Sequence, residues 1–393
     1  MRGVLTRVLA TVLGLGIALV VVELALPHVI DRGVCHGQSP MWRPDPDLGW
    51  ALEPGAERDV AVCDARGGVE ARHHVTINAL GLRDRPRSLA RQAGHPRVLV
   101  LGDSYVEALQ VDLEETFLAR LEGSLGVEMI NAGVSGYSTD NELRAFARYG
   151  ARVHPDAVLL VLFVGNDVVE NGPRLFLKNP HGLPPKPWLG LGEGPGSLAR
   201  CYAIARAAAD VADHVPDVLW TRSRLLRWTL TGGVGAALSA GCRDATGPPL
   251  IPGQLELFGV YGPPQTVAWD EAWAVTERTL HDLVTRVRDA DMQVGVVLAP
   301  WQVEYDPSAL TRLFFPPAAG REWDYGYPHA RLGALLTSWS VPWVSLGPAL
   351  AGHYAATGRS GAYAWDGHWN AEGHGVVAAA LEPFVTTLVG DQR

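Results

Sequence analysis

The sequence predicts an α/β protein with a parallel sheet and helices on both faces. Three features predict it: short continuous apolar runs, amphipathic stretches between them, and polar glycine-bearing segments after several of the runs. A strand buried on both faces reads as an unbroken apolar run, so Arg97 to Leu101, Val127 to Ile130, Ala157 to Val164, Gln293 to Leu298 and Val341 to Leu346 are predicted strands. Apolar residues three and four apart predict helices over Leu113 to Leu125, Thr139 to Tyr149, Trp269 to Ala290 and Gly373 to Leu388, the last with a break at Pro383. In open sheets of this kind ligands bind outside the carboxyl ends of the strands.

With 393 residues, 47% of them hydrophobic, the chain can bury a full core. A formal charge of -9 leaves no basic footprint, which argues against a nucleic-acid partner. Leu9 to Val22 is apolar apart from small residues, follows Arg2 and Arg7, and reaches 18 residues if counted through Leu26. That length and charge placement predict a membrane anchor within residues 1–30, with the N-terminus cytoplasmic and the bulk periplasmic or extracellular. No small-x-small cleavage site stands around Glu23 to Pro27, so an uncleaved single-pass segment is expected over a removed signal peptide.

Residues 31–95 are rich in Pro, Gly, Arg and Asp and read as an extended arm or small lid leading into a catalytic domain at 96–390. Residues 172–265 interrupt the strand-helix alternation with prolines, glycines and Trp188, Trp220 and Trp228, which suggests a mainly helical, cap-like insertion. Four cysteines, Cys35, Cys63, Cys201 and Cys242, suit two disulfides in an oxidising compartment. Local pairing would join Cys35 to Cys63 and Cys201 to Cys242, but three connectivities and free thiols all remain open. Their spacing does not resemble zinc ligands, His73-His74 with Cys63 offers no metal geometry, and no metal or cofactor is expected.

Four segments carry chemistry. Gly102-Asp103-Ser104 closes a predicted strand before a helix-compatible stretch and sets a hydroxyl at the sheet edge. Asn131 to Thr139, with Gly133 and Gly136, lets backbone approach a substrate and aim an N–H at an oxyanion. Gly165-Asn166-Asp167 adds a side-chain amide, and Asp366-Gly367-His368-Trp369-Asn370 adds an imidazole able to activate a serine and a carboxylate able to orient it. Each has an ordinary explanation as a turn or helix cap. Their order and their places at strand ends are harder to explain separately.

Together they resemble the four blocks of the SGNH (GDSL-like) hydrolase superfamily, over roughly residues 96–390. The resemblance implies a three-layer, flavodoxin-like α/β/α fold, with Ser104 as nucleophile, His368 as base and then acid, and Asp366 as orienting carboxylate. It further implies an oxyanion hole of the Ser104 and Gly136 backbone N–H groups with the Asn166 side chain. Asn78-Ala79-Leu80-Gly81-Leu82-Arg83 looks like a lead-in segment of bacterial members. The last block is Asp-x-His where many members have Asp-x-x-His, and its Asp-x-His-Trp form is similar to membrane-associated polysaccharide O-acetyltransferases. Beyond the four blocks, Asp103 and Asp167 are expected to brace the loops, His374 to lie on a helix surface or cap, and Tyr105 and Trp301 to line the pocket, core packing being the alternative for Trp301.

The activity expected is hydrolysis of a small-molecule or glycan ester through an acyl-enzyme. Transfer of the acyl group to an extracellular polysaccharide, lipid hydrolysis at the bilayer and a non-catalytic glycan-binding module are the alternatives.

Overall fold

The computed structural model describes residues 41–91, 94–178, 253–313 and 322–390, with isolated positions in 11–25 and 186–229. The stretch read as an extended arm folds into two antiparallel hairpins. One joins β1 (Trp42–Asp45) to β2 (Gly49–Leu52), the other β3 (Glu57–Cys63) to β4 (Val69–Thr76). Trp50, Leu52, Val75, Ile77 and Leu82 are buried in the same core as the main sheet, so this region is part of the globule. Its signature was hidden because β3 is half-exposed and charged along Glu57-Arg58-Asp59.

Five parallel strands form the central sheet: β5 (Arg97–Gly102), β6 (Glu128–Asn131), β7 (Ala157–Phe163), β8 (Gln293–Ala299) and β9 (Trp343–Ser345), in the order β6-β5-β7-β8-β9. Every residue of β5 and β7 is buried. Alternate side chains enter two separate cores: Leu99, Leu101, Leu160 and Leu298 lie on one face, Val98, Val100, Val161 and Val297 on the other. Ten helices are described. They are α1 (Ser104–Glu107), α2 (Phe117–Leu125), α3 (Thr139–Val153), α4 (Asp167–Asn171), α5 (Pro173–Lys178), α6 (Val267–Asp289), α7 (Ala309–Leu313), α8 (Tyr327–Ser338), α9 (Gly347–Thr357) and α10 (Ala371–Gly390). Buried residues of α3 and α6 fill the first core, those of α2 and α10 the second, which gives the three-layer α/β/α arrangement. The order 2-1-3-4-5 within the sheet reverses at β5, and the crevice beside β5 and β7 is where a ligand site belongs.

Two helix expectations change. Leu113 to Leu125 is a short 3-10 turn, Leu113–Glu115, followed by α2, because the Thr116 hydroxyl accepts from Ala119 N and starts a new helix. Pro383 does not break α10: Val377, Leu381, Val385 and Leu388 stay buried along one face, while Pro383 and Ala379, whose carbonyl loses its partner, face solvent. Weakly amphipathic α8 and α9 were not anticipated.

Among the described residues, α10 is the one helix long and apolar enough to cross a membrane, and it is packed against α2, α9 and β8. The expected N-terminal anchor lies largely outside the described residues; those described between 11 and 25 are helical and expose Leu13, Ile17, Val20, Val21 and Leu24. Most of the expected insertion and Cys35, Cys201 and Cys242 also lie outside. Cys63 is disulfide-bonded.

Candidate active site

At the carboxyl end of β5 the chain turns at Asp103, whose Oδ1 accepts from Tyr105 N at 2.9 Å and so caps α1. Ser104, the first residue of α1, is thereby fixed at the sheet edge. Its Oγ lies 2.8 Å from His368 Nε2, and His368 Nδ1 lies 2.6 Å from Asp366 Oδ1. The tautomer with its proton on Nδ1 therefore donates to Asp366 and accepts from the serine. Asp103 Oδ2, at 3.5 Å from the same hydroxyl, is the weaker competitor.

The short Asp-x-His spacing is accommodated by a tight turn. Tyr363 N donates to His368 O at 2.9 Å and Gly367 N to Tyr363 O at 3.0 Å, and Asp366 Oδ1 accepts from both His368 N and Nδ1. Beneath the turn, Trp369 is buried against Tyr105 and Phe117. Tyr105 does not line an open pocket as expected. It is 4% exposed, its ring lies 5.0 Å from that of His368, and its hydroxyl donates to Gly367 O, so burial turns it into a support for the histidine loop.

Burial would lower the His368 pKa, but Asp366, Asp103 and Glu107 outweigh it, and the net shift is upward from 6.5. Asp366 is held below the usual carboxylate range because His368 overcomes its desolvation. Asp103 is pushed up to about 6, chiefly by burial. The site therefore has a strengthened base, a firmly ionised orienting group and a carboxyl near the point of titration beneath the nucleophile.

The second block is held against α1. Gly133 packs so closely that an added Cβ would stand 2.5 Å from Val106 Cβ, and Gly136 has φ +79°, a conformation only glycine adopts cheaply. Between them, Ser135 N donates to Glu107 Oε2 at 2.6 Å, the Ser135 hydroxyl donates to the same oxygen, and Trp50 Nε1 donates to Ser135 O at 3.0 Å. Among the described residues neither Ser104 N–H nor Gly136 N–H has a hydrogen-bond partner. Asn166, at the start of α4, behaves differently. Its side chain works weakly against the burial that pushes Asp103 up to about 6 and Glu170 up to about 8, while its Oδ1 is buried without a partner among the described residues. Of the three groups expected to form the oxyanion hole, the two backbone N–H groups are the ones without a hydrogen-bond partner among the described residues.

Other expected residues are structural or intermediate. Asp167 Oδ2 accepts from Phe163 N at 2.8 Å and ties α4 to β7. His374 is a buried cap: Nδ1 accepts from Phe117 N at 3.2 Å, and burial, aided by Arg83 and Arg120, lowers its pKa to about 3. Trp301 is half-buried, bridges both cores and lies beside Phe163 and Phe258. His73 and His74 pair with Asp112 and Asp59. Sequence reasoning missed Glu107, Trp50 and the role of Arg83, which leaves the lead-in segment to donate to Glu107 O at 2.7 Å and Val111 O at 2.5 Å, clasping the turn after the nucleophile. Only the position of Glu107 one turn after Ser104 could have flagged it.

No family model and no curated protein matches the chain. Solved structures similar to it include the acetyl xylan esterase AlAXEase, at 12% identity over 74% of this chain and 99% of that one with a TM-score of 0.40. TesA is 15% identical over 74% of this chain and 99% of that one, with a TM-score of 0.37. The psychrotrophic esterase EstA from Pseudoalteromonas sp. is 11% identical over 75% and 100%, with a TM-score of 0.36. At such identities the chemistry of this chain has to be argued from its own site.

Proposed function

We propose that the protein is a serine-dependent ester hydrolase of the SGNH kind that deacylates a glycan or another ester of the cell envelope. The observation that carries this reading is the continuous hydrogen-bonded line from Ser104 through His368 to Asp366. Ser104 Oγ attacks the ester carbonyl as His368 takes its proton, and the Ser104 and Gly136 N–H groups receive the developing oxyanion. His368 then protonates the departing alcohol, leaving an acyl-Ser104. Water, deprotonated by His368, attacks the acyl carbon, and the proton returns to Ser104 as the acid leaves. An oxyanion donor of this type is worth about 3 kcal/mol in the transition state.

The apolar helical residues between 11 and 25 support placement at a membrane, with the catalytic domain outside it. The test is turnover of a chromogenic acetate ester by the full chain, with and without an added polysaccharide acceptor. Release of alcohol and free acetate at equal rates supports hydrolysis. Acetate appearing on the polysaccharide instead identifies acyl transfer, and no turnover with intact fold identifies a binding module.

A further inference from the structure

Lys186 belongs to the chain beyond α5 and is 1% exposed, yet nothing in the proposed chemistry uses it. Its ammonium donates to Ser138 Oγ and, at 2.8 Å, to Asn141 Oδ1. Ser138 is the cap of α3 and stands two residues after Gly136; its hydroxyl donates in turn to Asn171 Oδ1 at 2.8 Å. Asn171 is the last residue of α4, which starts just after Asn166. Asn171 Nδ2 donates to Thr139 Oγ1 at 2.7 Å and to Thr276 Oγ1 at 2.9 Å, so α3, α4 and α6 meet in one buried polar network.

The cation is placed there against its own desolvation and against the positive end of α3. Four buried carboxyl groups, Asp140 and Glu142 on α3 and Asp167 and Glu170 on α4, act in its favour, but burial prevails and the Lys186 pKa is lowered on balance. The backbone has been shaped to admit it, since Gly49, the first residue of β2, has φ +86° and an added Cβ there would lie 2.8 Å from Lys186 Cβ. A buried lysine that joins the elements behind two blocks of the site fixes the distance between them.

We propose that Lys186 is a positioning residue for the oxyanion site: through Ser138 and Asn171 it locks the Gly136 loop to α4. This inference rests on the esterase reading. An oxyanion donor acts only if it is aimed before the reaction starts, so loosening this tie costs transition-state stabilisation and leaves ester binding nearly intact.

The experiment compares wild type, Lys186→Met and Ser138→Ala as full chains in detergent, using a chromogenic acetate ester and a fluorophosphonate. Lys186→Met is expected to lower kcat about tenfold, leave KM within about twofold, and slow labelling of Ser104 by the same factor as kcat. Ser138→Ala, which keeps the buried charge and removes only the junction, is expected to change kcat in the same direction and carries the test if Lys186→Met does not fold. A kcat within twofold of wild type in a folded Lys186→Met, or in Ser138→Ala where the first variant cannot be made, overturns the proposal, as does a loss residing in KM. Failure of the wild type itself to turn over ester or to label would instead remove the esterase reading on which this one rests.

Discussion

The turn at 363–370 and the first helical turn after it hold two histidines six residues apart, and the two regions treat the same side chain in opposite ways. His368 faces Asp366, Asp103 and Glu107, and its pKa rises. His374 is buried against Phe117 and Trp369, with Arg83 and Arg120 as its charged neighbours, and its pKa falls to about 3. Burial disfavours the cation in both. The sign is decided by whether carboxylates stand close enough to outweigh that burial, as they do at His368, whereas at His374 the guanidinium groups only add to it.

Exchanging each histidine for glutamine breaks the comparison most sharply. His368→Gln should lower kcat for an acetate ester by at least about a thousandfold with its melting temperature close to wild type. His374→Gln should keep kcat within a few-fold while losing on the order of 1 kcal/mol in denaturant unfolding, since it gives up the acceptor for Phe117 N. Activity lost in the second variant and kept in the first would reverse the assignment.

Asp366→Asn sharpens the same contrast through pH. With Asp366 ionised, the His368 pKa lies above 6.5, so kcat/KM should fall on the acid side with an apparent pKa above that value. Neutralising the partner should lower kcat/KM about a hundredfold and move that limb to lower pH; an unmoved limb would mean that Asp366 does not act on His368.

Linkage gives a smaller effect at His374. Its folded pKa of about 3 lies below its ordinary 6.5, so protons favour the unfolded chain, and the stability this group contributes is complete above 6.5 and lost as pH falls from there towards 3. Denaturation midpoints measured across that range should decline less steeply in His374→Gln than in wild type. The smallest effect is expected from Trp50→Phe, which removes one bond to Ser135 O and should cost about 1 kcal/mol of stability with a few-fold loss in kcat.

The strands of the sheet were legible because β5 and β7 are buried on both faces and no polar residue interrupts them. Ser104, Asp366 and His368 were legible because their residue types fall at strand ends and in the last loop, where chemistry collects in such folds. The hairpins of 42–76 were not, since β1 and β2 have four residues each and β3 and β4 mix charged and apolar residues. Nor were Glu107 and Lys186: a carboxylate or an ammonium in a sequence reads as surface, and only the folded chain puts Ser135 against one and Ser138 against the other. Tyr105 failed for the opposite reason, because adjacency to a nucleophile in sequence does not fix which way a ring turns at a helix start.

The most direct test of the central claim is fluorophosphonate labelling of the full chain followed by peptide mapping. A serine activated by His368 should carry the adduct at residue 104, with labelling abolished in Ser104→Ala and slowed by orders of magnitude in His368→Gln. An adduct on any other residue, or labelling that persists undiminished without the histidine, would contradict the assignment.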